Sequence, residues 1–518
     1  MRRGLKPSAH FLFNVVFGGF YGNNIQGDFM NGRMSFESYK ISKHINDNIN
    51  SIKTIFENEG TLRIRKITSK YISAFICYLD GMVDNNLIGL NIDKAILEFK
   101  GELNSKKFLE SLVYPGEIKE INTFKDVVSG ILEGDTIVFA EGISSALQVN
   151  TKGYMRRSVD EPPSETVVRG PREGFIENII ANTSLLRRKL QTSDLVFEMS
   201  RIGTRSKTRV SITYLKSLVS EDLVKEIKNK LSEIQIDGVI DTNIISEIIR
   251  SGRMSPFKTV GTTERPDIAA ARLLEGKIII IIDGSPVALS VPYLFIENFQ
   301  VNEDYFLNFY LGSFIRILRF VCFLLTVSVP AAYISFVNFH WSLIPPDLAL
   351  NIQNAHKEIP LSTFTECIFM LAVFEVIRES GQRLTSGSGQ AVSIVGALVV
   401  GQAAVEANLI SAPMVVIMGI TAITGLVNTH INSAVIILRF FLIIFSSVFG
   451  FYGFFFAWII ISIHLLSLKS FGVRYMSDIA SHTENGRRDS VFRFPWDKLY
   501  LRPSFVKTDK ERASIGED

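Results

Sequence analysis

From Leu311 to Leu468 the chain is largely apolar, and no other feature of the sequence restricts its fold as much. The stretch reads as an all-α membrane domain with several spans, 311–468. At its centre, Gly389–Ile410 is long enough to cross a bilayer as a helix rising 1.5 Å per residue. At 100° per residue, Val395, Val399, Gln402 and Glu406 share one face, and Ser393, Ala397 and Gly401 lie roughly opposite. The second face is thin, with Ala397 and Gly401 as a small-xxx-small pair, and suits close approach of another helix. The first face runs from valine to a carboxylate and is the candidate lining of a water path, because an ionisable group in a span seldom faces lipid. The alternative is a tightly packed helix inside a bundle.

Phe314–Phe336 reads as the first span, and Arg316 and Arg319 place its start in the cytoplasm. His340–Pro360 follows as an external loop. Leu361–Ile377 is a short span. It carries Glu366 alone on one side and Glu375, Arg378 and Glu379 on the other, where they can pair at i,i+3 and i,i+4. A flexible loop, Arg383–Gly389, leads into the central helix, and Ser411-Ala412-Pro413 turns the chain back through Met414–Asn428. Ala434–Leu468 is longer than one span needs. Gly450 and Gly453 mark a break, giving two short spans or a re-entrant hairpin. Arg439 either marks a cytoplasmic edge or sits in the membrane beside a carboxylate such as Glu406 or Glu366. Residues 469–518 form a basic cytosolic tail. With both soluble ends inside, the crossings number four or six.

Before about residue 305 the composition is that of soluble protein, and the pattern is an α/β cytosolic domain in two subdomains. In the first, 60–155, Leu62–Ile67, Tyr71–Leu79, Ile118–Ile121, Asp135–Ala140 and Ala146–Asn150 read as strands. Residues 87–99 and Thr123–Leu132 read as helices. Pro162 and Pro163 mark a linker, 156–170. The second subdomain, 171–305, opens with a helix starting at Pro171 and ending in a solvated basic turn, Arg187-Arg188-Lys189. Leu195–Met199, Arg209–Tyr214, Lys277–Ile282 and Val287–Val291 are its strands, the isoleucine run being a buried one. Residues 1–59 read as a poorly ordered or peripheral segment. Met1-Arg2-Arg3 before Phe11–Tyr21 looks like a signal peptide, but Asn14 interrupts the run and no small-residue cleavage site follows.

Chemistry is hard to find in this half. Gly203–Thr208 lacks the second glycine and the Gly-Lys-Ser/Thr ending of a phosphate loop. No G-x-S-x-G, H-E-x-x-H or Cys-x-x-Cys occurs, the histidines are dispersed, and Asp80, Asp84, Asp237 and Asp241 read as turn and cap residues. No catalytic residue, metal site or cofactor is assigned. A net charge of +3 gives no reason to invoke nucleic acid. Cys77, Cys322 and Cys367 have no ligand spacing and suit a reducing compartment.

Several motifs together resemble the A subunit of the GerA-type spore germinant receptors. They are D-G-M-V-D at Asp80–Asp84, E-G-D-T at Glu133–Thr136, R-G-P-R-E-G-F at Arg169–Phe175, N-T-S-L-L-R-R-K-L at Asn182–Leu190 and I-D-G-V-I-D at Ile236–Asp241. S-P-F at Ser255–Phe257, E-R-P-D at Glu264–Asp267, L-L-E-G-K at Leu273–Lys277, I-D-G-S-P at Ile282–Pro286 and the stretch Gly389–Ala407 extend the resemblance over roughly 60–470. It implies a multi-pass protein of the spore inner membrane, its N-terminal domain and tail in the spore core. It also implies a permease-like B subunit, a lipoprotein C subunit and a homo-oligomeric ring around a cation-conducting pore. The chain departs from the family pattern at Thr385-Ser386-Gly387-Ser388 and Thr429-His430-Ile431-Asn432, where prolines are usual. It departs again at Asn408, where glycine is usual, and at Arg474, where proline is expected. These departures fit a divergent paralogue with altered gating or ligand range.

The leading expectation is a non-enzymatic, nutrient-gated cation channel subunit of a germinant receptor. The alternatives are a transporter or release-pathway component, for instance for dipicolinate, and a scaffold that clusters receptor subunits. No repeat of broken helices argues for transport, and a scaffold has no need of a valine-to-carboxylate stripe.

Overall fold

The computed structural model describes residues 40–99, 118–153, 162, 165, 170–383, 388–480, 489–503, 505–506 and 511–512. The expected linker 156–170 (apart from Pro162, Glu165 and Gly170) and the tip of the internal loop, 384–387, lie outside them. The chain forms two compact units, one from Met1–Ile55 with Leu62–Gly153, the other from Phe56–Thr61 with Tyr154–Asp518.

The first unit begins earlier than the sequence reading placed it. Helix α1, Ile45–Ile55, lies in the segment expected to be peripheral, yet Ile45, Ile49, Ile52 and Ile55 are buried along one stripe. Strands β1 (Leu62–Thr68) and β2 (Ser73–Leu79) form a hairpin. They are followed by β3 (Ile118–Ile121), α2 (Phe124–Glu133), β4 (Thr136–Ala140) and β5 (Ala146–Val149). The sheet is antiparallel, in the order β1-β2-β4-β5-β3. Phe75 and Phe139 face each other across β2 and β4 with ring centroids 4.5 Å apart, a cross-strand pair of the kind that fixes register.

The second unit contains α3 (Ile179–Lys189), β6 (Leu195–Ile202), β7 (Thr208–Leu215), α4 (Glu221–Ser232), α5 (Thr242–Ile249), β8 (Gly261–Thr263), α6 (Pro266–Leu274), β9 (Ile278–Ile282) and β10 (Ala288–Val291). Its sheet order, β6-β7-β9-β10-β8, repeats that of the first. The two copies agree where the backbone is most constrained. Asp84 and Asp241 each cap a helix by accepting a backbone N–H two residues on. Gly134 and Gly276, each in a Leu-Glu-Gly sequence, both close a helix with left-handed φ, 92° and 76°.

Two local readings are corrected here. Helix α3 starts at Ile179, not Pro171, because the Asn178 side chain accepts from the Ile180 and Ala181 N–H groups and makes the stronger cap. Its basic end is not solvated at Arg187, which is 1% exposed. Arg187 donates to Glu59 at 2.6 Å and to the Thr192 carbonyl at 2.8 Å, and its guanidinium lies 4.9 Å over the Phe197 ring.

The helical part comprises α7 (Phe309–Phe339), α8 (Pro346–His356), α9 (Thr363–Arg383), α10 (Ser388–Glu406), α11 (Ala412–Val427) and α12 (Asn432–Ser467). Among the described residues, α7 and α12 are long and apolar enough to cross a membrane. Helix α12 is two arms, because Gly450 has φ 57° and ψ −138° and the chain folds back there. Phe445 and Phe456 rings come within 6.4 Å, though eleven residues of straight helix span about 16 Å. The second arm descends antiparallel to α7. Phe451 meets Phe336, Trp458 donates to Ser328 at 3.2 Å, and His464 bonds Ser255 of the sheet unit at 2.9 Å.

At the base of α7 a cluster of charges is buried. Arg316 (1% exposed) reaches Asp304 at 3.4 Å, Asp489 at 3.0 Å and the Ser490 carbonyl at 2.9 Å, while Arg319 also holds Asp304. Arg493 donates to the Leu307 carbonyl at 2.7 Å. The segment after Lys469 is therefore not simply a solvated basic tail. Strands β11 (Lys469–Ser470) and β12 (Val473–Arg474) pair, Ser470 donates to the Thr259 carbonyl, and Phe471 is buried in the core of the second sheet unit.

Among the described residues, Gly450 is the position inside a long helix whose backbone leaves the helical region. A Cβ there would lie 2.9 Å from the Phe339 ring, on a backbone that side chains rarely adopt. Gly450→Val is expected to abolish accumulation of monodisperse protein in detergent extracts. Gly472→Ala, also at positive φ but with open space around it, is expected to cost only about 1–2 kcal/mol. Equal yields of the two variants on size-exclusion would remove the fold-back.

Candidate functional site

The central helix α10 follows α9 and precedes α11, and the ionisable residues of the apolar region are distributed over α9, α10 and the first arm of α12. Glu366 on α9 is fully buried. One carboxylate oxygen accepts from the Ser411 N–H at 3.0 Å and from the Ser411 hydroxyl at 2.8 Å, at the start of α11. A helix N-terminus is a natural seat for a carboxylate, because its first N–H groups are unpaired and its dipole end is positive. The other oxygen lies 3.5 Å from His356 Nε2 on α8. The sequence shows Glu366 without a partner. The available signal was the Ser-Ala-Pro start of α11, which marks a helix end but not what faces it.

Arg439, on the first arm of α12, is 1% exposed. Its carboxylate partner is neither Glu406 nor Glu366 but Glu375, at 3.4 Å. Glu375 is shared with Arg378 at 2.5 Å, the expected i,i+3 pair, and Arg378 also donates to Asn432 at 3.0 Å. Glu366 is already committed to Ser411 on the opposite side of α9, and Glu406 is exposed at the far end of α10, so Glu375 is the carboxylate on the face turned to Arg439.

Helix α10 divides into two faces. Val395 and Val399 are each 59% exposed, and Gln402 and Glu406 are exposed, with Gln402 donating to Glu406 at 2.9 Å. Gly401 and Ala404 are buried, and a Cβ on Gly401 would touch Val415 of α11 at 3.3 Å. The side chains of Ser393 and Ala397 lie outside the described residues. Beyond the helix, Asn408 has φ 51°, a left-handed conformation that asparagine tolerates better than most residues, which is how it stands in for glycine there. Among the described residues, no three His, Cys, Asp or Glu side chains gather as a metal site.

Removing one partner of a buried pair leaves an uncompensated charge, at a cost of about 3–5 kcal/mol. Glu375→Gln is therefore expected to lower the thermal midpoint of the detergent-solubilised protein markedly. Adding Arg439→Met should restore much of the loss. A double variant no better than the single would mean that the pair is not coupled.

A profile of the family described as Bacillus/Clostridium GerA spore germination protein matches residues 50–505. Spore germination protein KA of Bacillus subtilis (strain 168) is 36% identical over 481 residues, covering 91% of this chain and 88% of that protein. Spore germination protein GerLA of Bacillus cereus is 32% identical over 477 residues, covering 91% and 96%. The crystal structure of the N-terminal domain of the A subunit of the Bacillus megaterium spore germinant receptor GerK3 aligns with 50% of this chain and 98% of that domain, at 28% identity and a TM-score of 0.39. The chain belongs to the GerA family of spore germination proteins.

Proposed function

We propose that this chain is the A subunit of a nutrient germinant receptor in the spore inner membrane and assembles as a homo-oligomer around a cation pore. A permease-like B subunit and a lipoprotein C subunit are its partners. The observation that carries the reading is the uncovered face of α10. In the single chain, neighbouring helices cover Gly401 and Ala404 and leave Val395, Val399, Gln402 and Glu406 open. A carboxylate and an amide on an open face of a membrane helix suit water better than lipid. Rotational symmetry turns each into a ring, valines as a constriction that gates by dewetting and glutamates as a cation-favouring mouth.

The same reading gives six crossings, namely α7, α9, α10, α11 and the two arms of α12. Asn428 at the end of α11 donates to the Arg319 carbonyl, Arg378 at the end of α9 meets Asn432, and His464 meets Ser255, so these ends gather beside the sheet unit. Gly450 lies by Phe339 and His340 at the opposite end. With the native cysteines buried, a cysteine at exposed Asn351 should label only from outside, and one at exposed Lys469 only from the cytoplasmic side. Ser490, at 7% exposure, is too buried to serve as a reporter. Labelling of both positions from one side would rule out the six-crossing arrangement.

Conductance of the purified protein in planar bilayers tests the pore. Val399→Ala should raise leak without nutrient, and Glu406→Gln should reduce cation over anion permeability with assembly intact. Gly401→Leu should lower the yield of folded protein itself, because the side chain would enter the contact between α10 and Val415 of α11 within one chain. Unchanged conductance in correctly assembled Val399→Ala and Glu406→Gln would place the pore elsewhere.

A further inference from the structure

Where the second sheet unit meets the base of the helices there is a cavity of about 300 Å³. Its wall includes the loop carrying Lys258, helix α6 with Arg272, the segment from Tyr293 to Tyr305, Arg319 of α7, and the turn between α11 and α12 with His430. Most charges on the wall are spoken for. Arg265 pairs with Asp267, Lys277 with Glu297, and Arg319 with Asp304. Glu165 accepts from the Thr263 hydroxyl and the Glu264 N–H.

Two cations and a histidine remain. Among the described residues, Lys258 and His430 have no hydrogen-bond or ion-pair partner. Arg272 donates only to the Thr262 carbonyl and the Ser290 hydroxyl, with its guanidinium 5.8 Å over Tyr293. Lys258 and His430 are open to solvent, yet protein surrounds them. Burial pushes the pKa of each down, and the charges of Lys258, Arg272 and Arg319 push that of His430 down further. Lys258, Arg272 and His430 converge on one concave, partly desolvated wall where Arg272 is balanced only by the charge of the nearby Glu165 carboxylate, and an anion entering there meets all three donors.

We propose that this cavity is a binding site for a phosphate monoester or diester, held by Lys258, Arg272 and His430. The donors come from three separate elements, which matches the several oxygens of a phosphate better than a flat carboxylate. The volume leaves room for an organic group beyond the phosphate itself. A bound phosphate ties the turn between α11 and α12 to the sheet unit, so occupancy bears on how the helices move relative to the soluble domain. The same chemistry is offered by a soluble phosphate ester and by an anionic phospholipid headgroup entering past Val427, which also lines the cavity. The site does not depend on the pore.

The test uses the full chain in neutral detergent. Equilibrium dialysis measures glycerol 3-phosphate, and native mass spectrometry compares retained phosphatidylglycerol with phosphatidylcholine. Lys258→Gln and His430→Gln are compared with Arg205→Gln, an exposed cation outside the cavity. Hydrogen bonds to charged groups predict a loss of about tenfold or more for each cavity variant and none for Arg205→Gln. Glycerol 3-phosphate binding with that pattern identifies a soluble ligand. Preferential phosphatidylglycerol retention with the same pattern and no glycerol 3-phosphate binding identifies a lipid. Binding of neither, or equal binding by the wild type and both cavity variants, overturns the site.

Discussion

A guanidinium taken out of water must be met at once by acceptors, and Arg316 is where this protein meets that demand. Its partners come from two parts of the chain: Asp304 and the Tyr305 ring, 5.6 Å away, from the segment entering α7, and Asp489 with the Ser490 carbonyl from beyond the last long helix. Asp489 is buried strongly enough that its pKa is raised by desolvation, while Arg316 pulls it back down. Removing either charge would strand the other, so the helix base, its entry segment and the C-terminal segment are held as one piece. The continuous apolar cluster from Phe257, Phe295 and Phe299 through Phe323 and Val327 to Tyr475 rests on that joint.

Much of the soluble half was legible because its signals are local. Runs of β-branched and aromatic residues marked the strands, Asp283-Gly284 marked the turn from β9 to β10, and Asp241 and Thr123 cap helices as their positions suggest. What escaped was set by distant partners. Arg187 at the end of a helix looks solvated by every local rule. It is buried because Glu59, 128 positions earlier, comes to meet it. Arg439 takes Glu375 because of how α9 is rotated, which a periodic pattern cannot supply. For α10, periodicity groups the side chains, and neighbours decide which group is covered. The cavity at the helix base escaped completely, since Lys258, Arg272 and His430 share no segment.

The duplication of the soluble half was also hidden. The two sheets have one strand order, but the copies agree mainly at turns and caps, where backbone geometry admits few residues. Strand interiors are free to diverge as long as they remain apolar. In the second copy, α4 stands between β7 and the Asp241-capped helix α5, and Phe257 and Phe295 pack with the helices. Thr259, Tyr293 and the segment around Ser470 join this second copy to the end of the last long helix.

That last contact has a temporal side. Tyr293 donates its N–H to Ser470, and Phe471 fills the core of a sheet whose final strand ends at Val291. A ribosome adding about 5–20 residues per second needs roughly ten to forty seconds to make the intervening 180 or so residues. Through that interval the second sheet unit stands with an unfilled gap in its core. It is completed only when the end of the last helix emerges, so every nascent chain passes through a window in which chaperones and proteases meet an unfinished domain.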